Sequence, residues 1–158
     1  MNTRKSLSVA QFLLEQCKAM GHGSVTPMQL IKLVYVAHGY MLGKHGSPLL
    51  DESVQAWRYG PVVPSVYHAV KSFGSMPVEH VPGALDDAIF SEDEKAVMAE
   101  VAEIYGKHNA ITLSSATHQR GTPWFQTWEA IGKNAPISND LIESFYAGIL
   151  KLPTHSSL

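Results

Sequence analysis

Cysteine, charge of either sign in excess and long apolar runs are all scarce in this 158-residue sequence, and each scarcity removes a class of protein. The lone Cys17 has no partner for an intramolecular disulfide, which fits a reducing compartment. Its core-like helical position marks it as a buried, inert thiol rather than a nucleophile, because apolar surroundings raise a thiol's pKa. Lysine and arginine number 12 against 14 aspartate and glutamate, and only Arg4 and Lys5 are adjacent. A phosphate-backbone binder normally carries a basic stripe, so nucleic acid is disfavoured as a partner. No stretch approaches the ~20 apolar residues that span a bilayer. Behind Arg4 and Lys5, the residues Glu15, Gln16 and Lys18 interrupt any leader-like run. A soluble, cytoplasmic protein with no membrane contact is the expectation.

Catalytic signatures are equally scarce. Eight histidines are present, yet no His-Glu-x-x-His, no Cys-x-x-Cys and no pair of histidines at i, i+4 occurs. His38 and His45 lie seven apart across a helix end. Glycine-rich phosphate cradles and the Gly-x-Ser-x-Gly elbow are missing. Ser114 and His118 stand at i, i+4 and could touch, but no acid lies nearby in sequence to orient the imidazole. The expectation is no enzyme, no cofactor and no metal site.

What is present is an ordinary globular composition, 45% apolar, enough for one core. A single domain is expected over 1–158, ordered from about Leu7 to Leu152, with 153–158 a loose C-terminal tail. Its fold class is mainly α (α+β): five to six helices with a small β-hairpin before a Gly-Pro corner. The first helix starts near Ser6 or Ser8 with the stripe Val9, Phe12, Leu13, Cys17 and Met20, and ends at Gly21 and Gly23. Thr26 as N-cap and Pro27 at N1 open a second helix over Met28–Leu42. That helix is apolar nearly all round, so it is expected at the centre of the fold, with Lys32 and His38 as snorkelling or edge residues.

Leu49–Trp57 alternates weakly and predicts the hairpin or an extended arm. A helix follows over Ser65–Phe73, with Val66, Tyr67, Val70 and Phe73 on one side, and Gly74–Pro82 is a loop. Asp86, Asp87, Glu92, Asp93 and Glu94 form an acidic cluster that reads as helix capping, since Ser91 and Glu94 fit a capping box for a helix over Glu92–His108. Its stripe is Val97, Val101, Ile104, Tyr105 and His108. A short helix covers Thr112–His118. Pro123 then breaks regular structure, so that Trp124, Phe125 and Trp128 plug the core from a turn or one helical turn. Ser138 starts the last helix, with Ile137 as staple and Leu141, Ile142, Phe145, Tyr146, Ile149 and Leu150 as its buried stripe. Pro153 stops it.

The most informative segment is Trp57-Arg58-Tyr59-Gly60-Pro61-Val62-Val63-Pro64-Ser65-Val66-Tyr67, where two aromatics and an arginine run into a Gly-Pro corner stiffened by a second proline. Tryptophan, tyrosine and arginine are the residues most enriched at interface hot spots, and a stiff backbone lowers the entropy lost on binding. Trp57 is expected in the core; Arg58 and Tyr59 are open between interface and fold. Together with Thr26–Gly39, and with Leu113-Ser114, Thr117-His118 and Pro123-Trp124 downstream, this segment resembles the Panacea domain of the SocA-like antitoxins, also known as phage-associated GepA-like proteins. The resemblance spans roughly Leu7–Leu150.

The resemblance implies an antitoxin that binds and neutralises a cognate protein toxin encoded next to it, and a proteolytic adaptor role delivering that toxin to the ClpXP protease. Under it, Arg58, Tyr59, Val62, Val63 and Tyr67 are the toxin-binding candidates. Leu30, Lys32, Leu33, Tyr35, Trp57, Gly60, Pro61, His118 and Trp124 are the structural positions of the motif. The alternatives left open are a small hydrolase or metal-dependent enzyme using His118 with Ser114, and a DNA-binding autoregulator.

Overall fold

A computed structural model of the chain describes residues 4–85 and 89–151. Helix α1 is Arg4–Ala19 and α2 is Pro27–His45, followed by strands β1, Val54–Trp57, and β2, Gly60–Val62. Helix α3, Pro64–Val70, runs into a 3-10 turn at Lys71–Phe73; α4 is Glu92–Tyr105, α5 Ala110–His118 and α6 Pro123–Ala130. Strand β3, Ala135–Ile137, leads into α7, Asn139–Leu150. The chain is therefore mainly α with one small antiparallel sheet, as the sequence pattern predicts. Asp86, Asp87 and the 153–158 tail lie outside the described residues.

Helix α2 is the axis. It touches α1, α3, α4, α5, α7 and β2, and Leu30 through Leu42 are all buried. A predicted cap holds its start: Thr26 accepts from the Gln29 amide while the Gln29 side chain accepts from the Thr26 amide. Gln29 then donates through Nε2 to the His108 carbonyl at 2.8 Å, tying this end to the segment before α5. Ser91 and Glu94 form the same box at the start of α4, and Glu94 also accepts an ion pair from Lys5 on α1 at 2.7 Å. Capping is thus what that member of the acidic cluster does.

The most extensive helix–helix contact is between α2 and α7. A Cβ placed on Gly39 would stand 2.4 Å from the Tyr146 ring, and one on Gly43 2.9 Å from the backbone at Tyr146 and Ala147. Two glycines a turn apart let the helices approach to backbone contact. Around this seam Tyr40 and Tyr105 share a hydroxyl–hydroxyl bond of 2.9 Å, and Tyr35, Tyr40 and Tyr146 pack edge-on or tilted.

Five local expectations change. The hairpin does not precede Gly60-Pro61 but runs through it, since β1 pairs with β2 by Gln55↔Val62, Ala56↔Pro61 and Trp57↔Gly60. Pro123 starts a helix instead of breaking one: Thr122 caps the Phe125 amide, and Trp124, Phe125 and Trp128 sit on two full turns. An unforeseen third strand adds to β1, with Val54↔Ile137 and Ala56↔Ala135. Met20, assigned to the α1 stripe, follows the helix end and is exposed. His108 likewise falls beyond α4, on the connection to α5.

Candidate functional site

The Trp57–Gly60 pairing leaves Arg58 and Tyr59 as the two residues of the hairpin tip. Two-residue loops usually demand positive φ inside the loop. Here neither tip residue takes it; Gly60, at φ 126°, absorbs that geometry. A side chain at Gly60 would also stand 2.7 Å from the Lys32 ammonium, which would have to shift to admit it.

Side chains from three helices hold the tip by its carbonyls. Lys32 of α2 donates from Nζ to the Pro61 carbonyl at 3.0 Å and more weakly to that of Tyr59 at 3.4 Å. Ser114 of α5 donates to the same Tyr59 carbonyl at 3.0 Å. Trp124 of α6 donates its indole N–H to the Trp57 carbonyl at 2.6 Å. His118 packs edge-on against Trp124, with ring centroids 5.3 Å apart. The backbone of the turn is therefore pinned while its two side chains stay outside: Tyr59 is 62% exposed, and the Arg58 guanidinium lies 5.5 Å from the Tyr59 ring centre.

Lys32 departs from its expectation. It does not snorkel; it is completely buried, and desolvation pushes its pKa down to about 7. His38 is likewise no edge residue. It is fully buried, its Nδ1 accepts from the Leu49 and Leu50 amides, and its Nε2 faces the Asn139 side-chain oxygen at 2.9 Å. Those partners fix the neutral tautomer, and burial lowers its pKa to about 4, partly opposed by the Asn139 bond. Burial pushes the Cys17 thiol up to about 11.

The remaining motif positions divide into supports and surface. Leu30, Leu33, Tyr35, Pro61 and Trp124 are buried, and Trp57 is half-buried, edge-on to Tyr67 at 4.9 Å. Among the binding candidates, Arg58 and Tyr59 are exposed and Tyr67 is half-buried. Val63 has no exposed surface and Val62 very little, so Val63 supports the hairpin from beneath and has no side-chain atom to offer a partner. Two residues were missed from the sequence: Met28, 41% exposed, and Ile111, 81% exposed. Ile111 on the first turn of a short helix gave no periodic signal to find it by.

Tyr59 is the ridge between two grooves that share Met28. One, of about 420 Å³, is lined by Ile111, Ser114, Ser115 and His118 on the α5 side. The other, of about 300 Å³, lies against Ile31, Lys32, Trp57, Val62 and Tyr67. Ser114 and His118 do not form a nucleophile–base pair. The Ser114 hydroxyl is spent on the Tyr59 carbonyl, and His118 Nδ1 is bonded to the backbone carbonyl of Ser114. Among the described residues no three His, Cys, Asp or Glu side chains gather where they could hold a metal. No described helix is long and apolar enough to cross a membrane.

The likeness to known proteins spans most of this region. The family described as "Antitoxin SocA-like, Panacea domain" matches residues 30–125, which include Lys32, the hairpin, α5 and the start of α6. Antitoxin SocA of Caulobacter vibrioides (strain NA1000 / CB15N) is 30% identical over 128 residues, which is 74% of this chain and 66% of the relative's own length. No solved structure matches the fold. The chain belongs to the SocA-like antitoxin family and carries its Panacea domain.

Proposed function

We propose that the protein is an antitoxin that binds and neutralises a cognate protein toxin, encoded next to it, through the Tyr59 ridge and the grooves beside it. The observation that carries this reading is the hairpin tip itself: carbonyls pinned by Lys32, Ser114 and Trp124, side chains of Arg58 and Tyr59 left outside. A pinned tip loses little entropy when a partner docks, and an aromatic beside an arginine is a typical anchor. Met28, Tyr59 and Ile111 extend the apolar area that such a partner covers. With the Ser114 hydroxyl and His118 Nδ1 each bonded to a backbone carbonyl and not to each other, binding accounts for this surface better than hydrolysis does. Delivery of the bound toxin to ClpXP is a separate second step, read from toxin half-life with and without that protease. Both steps belong to the cytoplasm.

The test is coexpression with the neighbouring gene. Growth is expected to survive with wild-type protein and to fail with Tyr59→Asp or Ile111→Asp. Each substitution should cost about 2 kcal/mol of binding, roughly thirtyfold in Kd. A harmless neighbour, or full neutralisation by both variants, would overturn the reading.

A further inference from the structure

The groove on the Trp57 side of the ridge has an uneven composition. Its lining is apolar apart from Asn134 and three cations, with no carboxylate. Lys32 is buried at its base, while Arg58 and Lys133 are exposed at its rim. Among the described residues none of the three is paired with a carboxylate. An ammonium has three N–H donors, and the fold gives Lys32 two acceptors, the carbonyls of Pro61 and Tyr59. With no exposed surface of its own, Lys32 acts on whatever enters the groove through its charge from beneath the floor, and the exposed donors are those of Arg58 and Lys133. Trp57 and Tyr67, edge-on to each other at 4.9 Å, offer an aromatic wall beside it.

We propose that this groove docks a partner segment bearing a carboxylate beside an aromatic or branched apolar side chain. The apolar group packs on Trp57 and Tyr67, and the carboxylate pairs with Arg58 and Lys133 at the rim, above the buried Lys32 amine. The assignment of the segment to a toxin rests on the reading above; the chemistry of the groove does not. Burial holds the Lys32 amine at about 7, so an incoming carboxylate supplies the counter-charge that the fold itself withholds.

The probes are 3-phenylpropionate and its uncharged isostere 3-phenylpropionamide, titrated into the whole chain and followed by amide correlation spectra. Saturating shifts are expected at the Trp57 indole N–H and the Gly60 amide in the millimolar range, with the acid bound about tenfold more tightly than the amide. A double variant, Arg58→Gln with Lys133→Gln, changes two exposed side chains and should weaken the acid severalfold while leaving the amide as it was. Lys32→Met should reduce the preference without abolishing it. Because it also leaves the Pro61 carbonyl unpaired, the rim variant tests the site without it. Equal binding of acid and amide, shifts confined to other regions, or no saturable shift overturns the proposal. If the acid fails to bind while toxin neutralisation still depends on Tyr59, only the carboxylate site falls. If the acid binds and the neighbouring gene product is harmless, only the antitoxin reading falls.

Discussion

Two buried bases set the pH response, and neither burial was visible in the sequence. Folded Lys32 has its pKa near 7, whereas an unfolded lysine keeps its proton to about 10.4. Between those values the unfolded chain binds more protons, so stability rises with pH across the window. In urea titrations the wild type should gain about 2 kcal/mol between pH 7 and 9 relative to Lys32→Met. A parallel pH dependence for the two proteins would show that Lys32 is not held as described. His38 works at the other end: its folded pKa near 4 lies below the unfolded value of about 6.5, so stability falls as pH drops through that interval. The full loss is about 3 kcal/mol, and His38→Gln should flatten this limb whatever it does to the plateau. Snorkelling was a fair expectation for Lys32 from its helix alone. Only the hairpin folding over it supplies the carbonyls that hold its amine inside.

Element by element, legibility followed local chemistry. The Thr26-Pro27 start and the Ser91–Glu94 box were legible because a cap acts within four residues. Thr122-Pro123 carries the same cap-and-proline logic, but there the proline reads as a breaker rather than as the first residue of a helix. Strand β3 was not legible at all. It is three residues with a central proline, and it forms because the free edge of β1 accepts it through Ala56 and Val54. The α2–α7 seam gives the test at this scale. Gly39→Ala must push the buried Tyr146 ring aside, and overpacking of this kind costs about 1–3 kcal/mol. Thermal melts should show it; a variant as stable as wild type would mean that the helices do not pack at backbone contact.

Across the whole molecule, one apolar cluster surrounds α2 and leaves Met28, Tyr59 and Ile111 outside it along neighbouring grooves. Surface substitutions away from packing usually change stability by no more than about 0.5 kcal/mol. Tyr59→Asp and Ile111→Asp should therefore melt with the wild type while failing to protect cells from the toxin. A large drop in melting temperature would assign these residues to the fold. The sequence by itself determined the helical class, the central helix, the caps and the family, because periodicity, capping and motif order are written in neighbouring residues. The tertiary structure decided which motif residues are supports and which are surface. Lys32, Ser114 and Trp124 reach the same five residues, Trp57 to Pro61, from three helices far apart in the chain, and that convergence turns a Gly-Pro motif into a pinned, outward-facing tip.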